Sequence, residues 1–241
     1  MCTEFYDIDK KFASPEEVNF YQQFFHQDDL ILEPMCGTGR LLIPLMQEGY
    51  TVHGADNSSS MLQSCKNRAT SFGLNPTLFE TAIETMVLPH QYNSVIIPLG
   101  SFQLLFPREK AFCALINLKK HLKPKGKIIL DLFVPWDVLY ENNLEELSEK
   151  EVALPDGGKI IHRSHNVANK YEQSIFCDSV YTKIIGNKIV ATEKEQMHLS
   201  WYYRYEVELI LEKYGFTNII YTKEYFGDDT HMIFIAESKG C

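Results

Sequence analysis

Over roughly its first 135 residues the chain alternates short apolar runs of strand length with longer, capped amphipathic stretches, and this alternation limits the fold more than any other feature. Leu30-Ile31-Leu32, Thr51 to Asp56, Thr77 to Glu80, Tyr92 to Pro98 and Lys127 to Phe133 read as strands. Ser14-Pro15-Glu16-Glu17 reads as a helix start: Ser caps, Pro fills the first helical position, and Glu17 completes a capping box. That helix is predicted to run to about Phe25, with Val18, Tyr21, Phe24 and Phe25 on one face. A second is predicted from Arg40 to Met46 and ended by Gly49, with Pro44 setting a late start. Ser58-Ser59-Ser60 caps a third, which carries Met61, Leu62 and Cys65 on one side. A fourth runs from Arg108 to His121 and stops before the turn Lys123-Pro124-Lys125-Gly126. Strands joined by helices at this spacing predict a parallel sheet covered on both faces.

The pattern changes after a helix predicted near Trp136–Leu147. Turn signals at Asp156-Gly157-Gly158, Ala168-Asn169-Lys170 and Ile185-Gly186-Asn187-Lys188 separate three predicted antiparallel strands, 159–167, 171–184 and 189–201. A helix at 203–214, ended by Gly215, and strands near 217–225 and 230–237 complete the reading.

Hydrophobic residues at 45% and charged residues at 23% exclude disorder as the main state. The apolar run Val95-Ile96-Ile97-Pro98-Leu99 is far short of the roughly 18 residues of a membrane helix, and the first residues lack a basic, apolar leader, so a soluble, cytoplasmic protein is expected. Twenty-three basic against 32 acidic residues give a formal charge of −9, which repels polyphosphate, so no nucleic-acid partner is expected. The cysteines Cys2, Cys36, Cys65, Cys113, Cys177 and Cys241 are scattered without metal-ligand spacing, so neither a metal nor a disulfide framework is expected.

The chemistry concentrates in Ile31-Leu32-Glu33-Pro34-Met35-Cys36-Gly37-Thr38-Gly39-Arg40, where the first strand gives way to a helix. In an open α/β sheet the crevice beyond the strand ends is the ligand site. A dinucleotide fingerprint needs a third glycine, but Leu42 stands there, and the Gly-Lys-Ser/Thr of a phosphate loop is absent. The Gly-x-Gly is joined by Glu33 at the strand end and by Asp56 at the next strand end, 17 residues after Gly39. A carboxylate at the position of Asp56 accepts hydrogen bonds from both hydroxyls of a ribose; the alternative is a turn or helix-capping aspartate.

On these residues the sequence resembles the class I S-adenosylmethionine-dependent methyltransferases. Glu33 and Gly37-Thr38-Gly39 match the acid and last two glycines of that family's first motif, and Met35 stands where its first glycine is usual. Val52 to Leu62 resembles the second motif, Leu118 to Lys127 the turn before the fifth strand, and Glu208 to Phe216 the helix and Gly-Phe turn before the last two strands. Aligned on Leu88-Pro89, the family's adenine-binding acid falls at Ala82 with Ile83 next, so that acid is missing unless a slipped register brings in Glu84. Pro98-Leu99-Gly100-Ser101-Phe102-Gln103 matches the loop beside the reactive methyl, without the Asp/Asn-Pro-Pro-Tyr/Phe motif of enzymes acting on DNA amino groups.

The resemblance implies a Rossmann-like, seven-stranded α/β sheet with its last strand antiparallel, plus an antiparallel β insertion. It implies a cofactor core of residues 1–140 and 202–241, with 141–201 as acceptor cover or as an interface in a homodimer. S-adenosylmethionine is the implied cofactor, held by Glu33, Met35, Cys36, Gly37, Gly39, Asp56, Asn57, Met61, Ala82, Ile83 and Leu99. The implied activity is direct methyl transfer to nitrogen or oxygen of a small molecule, in a layout similar to the amino-sugar N-methyltransferases. Tyr6, Ser101, Phe102, Gln103, Trp201 and Tyr203 are the expected acceptor-pocket residues, with Tyr6 and Phe12 as an N-terminal lid or as core. His53, His90, His121, His162, His165, His198 and His231 qualify as a base by residue type alone, and no catalytic base is assigned. The alternatives are a non-catalytic cofactor-binding sensor, a methyltransferase of protein or RNA, and a nucleotide-dependent oxidoreductase, the last disfavoured by the missing third glycine.

Overall fold

The computed structural model describes residues 1–10, 12–140, 144–223 and 230–239, and the chain divides into two compact units. In chain order the elements are α1 (Cys2–Asp9), α2 (Pro15–Gln22), β1 (Leu30–Pro34), α3 (Leu42–Gln47), β2 (Thr51–Asp56), α4 (Ser59–Ser71), β3 (Thr77–Glu80) and β4 (Tyr92–Ile97). A 3-10 turn at Ser101–Leu104 precedes α5 (Arg108–His121), β5 (Leu122–Phe133), α6 (Trp136–Tyr140), β6 (Glu145–Ala153), β7 (Lys159–Asn169), β8 (Ser174–Ile185), β9 (Lys188–Ser200), α7 (Arg204–Lys213), β10 (Phe216–Thr222) and β11 (His231–Ser238). The predicted strand at 217–225 thus ends at Thr222, and its residues 224–225 lie outside the described residues.

The larger unit, Phe12–Val134 with Tyr202–Cys241, holds a seven-stranded sheet in the order β10-β11-β5-β4-β1-β2-β3. β1 pairs in parallel with β2 and β4, whereas β11 runs antiparallel to both β5 and β10. The fold class is therefore the expected one. The chain winds from β1 outward to β3, then returns to β4 on the other side of β1, so the winding reverses between β1 and β4. That reversal leaves an open crevice at the carboxyl ends of the two strands. Ile31, Ile96, Ile129 and Ile233 bury one face of the sheet against Tyr21 of α2 and Leu42 and Leu45 of α3.

Local chemistry explains the element boundaries. Ser14 Oγ accepts the Glu17 N–H at 3.2 Å, but Glu17 does not close the expected capping box. Its buried carboxylate takes the guanidinium of Arg40 instead, with Arg40 Nη1 at 2.7 Å from Oε2. A buried carboxylate gains more from a guanidinium than from one further backbone donor. Pro44 is the third residue of α3, where an absent N–H breaks no intrahelical bond. At the predicted turn Lys123–Gly126, Tyr92 pairs with Leu122 and Ser94 with Lys127, so two steps on β4 face five on β5 and the intervening residues bulge out.

The smaller unit, Met1–Lys11 with Pro135–Trp201, is an antiparallel sheet in the order β6-β7-β8-β9. It departs from the sequence reading in three ways. The helix predicted to reach Leu147 ends at Tyr140, and residues from Glu145 form the unexpected edge strand β6. Only Val152 of β6 is buried, so the strand shows no apolar alternation; its charges pair across to β7 instead, Glu149 with Arg163 at 2.6 Å and Glu151 with Lys159 at 2.7 Å. The second departure is α1, which has no side-chain cap to announce it. Phe5 anchors it against Val152, Leu154, Ile160 and Tyr181, and the Met1 amine meets Glu193 at 2.7 Å. Third, the first eleven residues and Pro135–Tyr140 belong with this sheet rather than with the larger unit. Among the described residues no helix is long and apolar enough to cross a membrane.

Candidate functional site

The carboxyl ends of β1, β2, β4 and β5 carry the polar residues of the larger unit. Beyond β1 the chain turns sharply: Met35, at φ 61, occupies the left-handed region where the family pattern has glycine. Gly37 (φ 54) and Gly39 (φ 78) follow in the same region, for different reasons. A Cβ on Gly39 would lie 2.6 Å from Cys65 Sγ of α4, so this glycine lets the loop pack on the helix. A Cβ on Gly37 would meet nothing within 4 Å; this glycine faces open space.

Asp56 ties this loop to the next one. Its Oδ2 accepts the Gly37 N–H at 2.9 Å and its Oδ1 the Ser58 N–H at 2.9 Å. Burial raises its carboxyl pKa, opposed by the N–H groups of Ser58, Gly37 and Asn57. The Asp56 carbonyl accepts the Thr81 N–H at 2.9 Å, so the loop after β3 hangs from the same residue. Asn57 is exposed, and Met61 is half-buried on α4, its N–H capped by Ser58 Oγ at 3.4 Å.

Glu33, 2% exposed, ends β1. Its Oε2 has no hydrogen-bond partner. Burial pushes its carboxyl well above the usual range; Arg40 opposes the shift, but that guanidinium is already engaged by Glu17.

Ala82 is half-buried and Ile83 buried in the turn after β3, with Glu84 beside them. Asn117 of α5 holds this turn, its Nδ2 donating to Ile83 O at 3.0 Å and Met86 O at 2.9 Å. His121, one helical turn on, accepts the Leu88 N–H at Nε2 (3.0 Å) and bonds Asn117 O through Nδ1 (2.9 Å). The sequence reading missed this brace, whose signal was a polar i, i+4 pair on a helix that must bury a face.

Leu99, at φ 52, follows β4 by two residues and donates its N–H to Asp131 Oδ2 at 2.8 Å, while Gly100 donates to Asp131 O at 3.0 Å. Asp131 is fully buried, and its Oδ1 lies 3.3 Å from His231 Nδ1 at the start of β11. This pair was also missed; its signal was one aspartate inside the apolar run Ile128 to Phe133. Of the other candidate histidines, His53 contacts Tyr92 Oη at 3.2 Å, His162 contacts Ser179 Oγ at 3.0 Å, and His165 pairs with Glu145 at 2.5 Å.

The expected acceptor-pocket residues are divided between the two units, and several of them are engaged within their own unit. Gln103 is fully buried and acts as an extra peptide group: Nε2 donates to Phe133 O at 3.0 Å and Oε1 accepts the Phe133 N–H at 2.8 Å. Phe102 is packed among Leu115, Leu130, Leu132 and Tyr202, inside the core. Ser101 Oγ is turned back to Pro98 O at 2.9 Å. Tyr203 is the N-cap of α7, its N–H 3.1 Å from Glu206 Oε2. Tyr6 and Trp201 belong to the smaller unit, where Trp201 N donates to Gln173 O at 2.9 Å. Phe12 belongs to the larger unit and packs edge-on to Phe72, under the Arg68 guanidinium at 4.1 Å. Among the described residues no group of three or more His, Cys, Asp or Glu is placed to hold a metal ion.

Residues 31–126 match a family model described as a methyltransferase domain. YqeM of Bacillus subtilis, which its name assigns provisionally to the methyltransferases, is 29% identical over 104 residues, or 42% of this chain and 41% of that protein. The match thus spans less than half the length of that relative. A crystal structure of an S-adenosylmethionine-dependent methyltransferase from Clostridium acetobutylicum superposes with a TM-score of 0.78 at 16% identity, covering 98% of this chain and 97% of that one. The sugar N-methyltransferase KedS8 from Streptoalloteichus gives a TM-score of 0.79 at 15% identity, over 98% and 91% of the two chains. Residues 31–126 thus match a methyltransferase domain, and the chain has the fold of the class I S-adenosylmethionine-dependent methyltransferases.

Proposed function

We propose that this chain transfers a methyl group from S-adenosylmethionine to nitrogen or oxygen of a small-molecule acceptor. The observation that carries the reading is the Asp56 carboxylate at the end of β2, held by the Gly37 and Ser58 N–H groups, with Glu33 Oε2 unpartnered near the end of β1, beside the switch point of the sheet. The residues present suit the cofactor. A carboxylate oxygen has about two lone pairs, so Asp56 can accept from a ribose hydroxyl at each oxygen while keeping its backbone bonds. Glu33, buried with its Oε2 unpartnered, is suited to an ammonium group, and the open side of Gly37 leaves room for a ligand beside the backbone. Ala82 and Ile83 are assigned to the adenine ring and Leu99 to the neighbourhood of the sulfonium.

The cofactor, when bound, supplies a methyl group already activated on sulfur. What remains for the protein is to align the acceptor and exclude water. An acceptor N–H or O–H must also lose a proton. His231, whose Nδ1 lies 3.3 Å from the buried Asp131 carboxylate at the carboxyl end of β5, is assigned that role. The resemblance in fold to a sugar N-methyltransferase supports an amine-bearing small molecule as acceptor. Acceptor choice is assigned, from the sequence pattern, to the four-stranded unit.

Calorimetry with S-adenosylmethionine and with its demethylated product tests the binding half, with micromolar-scale dissociation constants expected. No heat and no thermal stabilisation at saturating concentrations of either ligand would refute the proposal. An acceptor screen of amino sugars and other small amines with methyl-labelled cofactor tests the transfer half. Tight binding without transfer to any acceptor returns the chain to the sensor reading.

A further inference from the structure

At the opposite edge of the large sheet, where β1, β4 and β5 begin, lies a second concavity that the proposed reaction does not use. It encloses about 220 Å³ and is lined by Lys123, Lys125 and Lys127 of the β5 bulge, Asn93 at the start of β4, and His26 and Asp29 before β1. Cationic side chains gathered in a hollow are unexpected on a chain with a formal charge of −9. Surface lysines on such a chain ordinarily find carboxylates. Among the described residues, however, none of Lys119, Lys120, Lys123, Lys125 and Lys127 makes an ion pair.

Lys119 and Lys120 have a local explanation, since they complement the negative end of α5 in its last turn. The three lysines of the bulge do not. Lys123 Nζ donates to Asn93 Oδ1 at 2.7 Å, and Lys127 Nζ lies 3.5 Å from Phe24 O, so both ammonium groups rest on neutral oxygens. Lys125 is held at φ 62, a left-handed conformation that costs a lysine backbone energy. The neighbouring acids are already engaged. Asp29 accepts the His26 N–H at 2.8 Å, and Glu237, opposite Lys127 in register, takes Asn218 Nδ2 at 2.7 Å. Three lysines against one aspartate leave the lining with a formal excess of two positive charges.

We propose that this cavity binds the phosphate group of a small molecule, either a phosphate monoester or free inorganic phosphate. A phosphate dianion balances the excess charge, and ammonium groups on flexible stems suit it as point charges. At about 220 Å³ the cavity is smaller than the roughly 300 Å³ at which sites for drug-sized ligands begin, which suits a single phosphate group or a small monoester. A nucleic acid is disfavoured by the overall negative charge, which opposes an extended polyanion but bears less on one group in a hollow. The inference is independent of the cofactor and of the methyl-transfer reading.

The test is calorimetry and thermal shift on the full chain with inorganic phosphate, glucose 6-phosphate, sulfate and a short RNA duplex at constant ionic strength. Saturable one-to-one binding of inorganic phosphate or glucose 6-phosphate is expected, and the tighter of the two names the source. Lys123→Gln with Lys125→Gln should weaken it about a hundredfold, at roughly one decade for each charge-assisted hydrogen bond removed, while leaving the melting curve of the free protein in place. Lys125→Arg should retain most of the affinity. Absence of binding at millimolar concentration overturns the proposal, as does binding unchanged in the double variant. Equal response to sulfate would make the cavity a general anion site and overturn it too, and preferential binding of the duplex would replace it with a nucleic-acid surface.

Discussion

Asp56→Ala separates a ligand-binding carboxylate from a structural one, and the structure shows that this residue must be judged on both counts. Each of its oxygens takes one backbone N–H at 2.9 Å, one from the loop after β1 and one from the start of α4. Removing the carboxylate frees both donors. Net values for hydrogen bonds to charged groups run about 1.5–3 kcal/mol each. The loss here falls below their sum, because the side chain is only half-buried, water can reach the freed donors, and burial already disfavours the charged form, as its raised pKa shows. We expect a stability loss of about 1–2 kcal/mol for the ligand-free protein. Cofactor binding should fall further, by about one to three orders of magnitude, since two ribose contacts vanish and Gly37 loses its tether. Asp56→Asn keeps one acceptor oxygen but turns an amide NH2 toward a backbone donor, so its binding loss should lie between those of wild type and alanine. Calorimetry well below the melting temperature measures binding, and denaturant unfolding without ligand measures stability. If Asp56→Ala loses stability as expected yet binds S-adenosylmethionine normally, Asp56 is a loop clamp and the ribose assignment is wrong.

Glu33→Gln should affect stability and binding in opposite directions. The folded-state pKa of Glu33 lies above its unfolded value, so its native environment favours the neutral carboxyl, and that contribution is lost as pH rises through the folded pKa. The amide variant should therefore gain melting temperature relative to wild type at pH 8 but not at pH 5, and still bind cofactor more weakly; an equal shift at both pH values would contradict the buried-carboxyl argument. Asn117→Ala leaves the carbonyls of Ile83 and Met86 without their donor, at a cost of about 2–4 kcal/mol by denaturant unfolding. A loss under 1 kcal/mol would show that the turn after β3 does not depend on this brace.

The sequence was most legible where a local signal and a tertiary demand coincide. β2 spans Thr51–Asp56 and α5 spans Arg108–His121, both as read, because alternation or turn chemistry marks each end. β6 was illegible for the opposite reason: it sits at a sheet edge with both faces mostly wet, so its glutamates follow cross-strand partners rather than a core. The candidate site divides in the same way. Glu33, Gly37, Gly39 and Asp56 stand at strand ends, where residue type and spacing reveal position. Gln103 also stands in a loop, and its amide looked available. It is spent on the backbone N–H and C=O of Phe133, a pairing 30 residues distant in sequence that no local pattern encodes. Asp131 was hidden for a related reason, since an aspartate within a strand declares its role only once the partners on β4 and β11 are known.

Two backbone outliers link these fragments to function. Met35 and Leu99 lie just beyond the ends of β1 and β4, the neighbouring strands between which the winding reverses, and both hold positive φ, at 61° and 52°. Each conformation costs on the order of 1–3 kcal/mol for a residue with a branched or long side chain, so each must be imposed by its surroundings. The constraints are visible. Cys36 N donates to Ala55 O at 3.0 Å, fixing the peptide after Met35, and both Leu99 and Gly100 donate to Asp131. The Asp56 carboxylate then secures Gly37 two residues beyond Met35. Left-handed turns at adjacent strand ends bring main chain from two loops to one crevice, and the carboxylates of half-buried Asp56 and buried Asp131 hold them there. Strain imposed at a crevice and held by neighbouring side chains is what the proposed reading expects of a preorganised binding edge. This is also why Met35 can replace the family's usual glycine: the conformation is held by the hydrogen bonds around it rather than by the freedom of the residue itself.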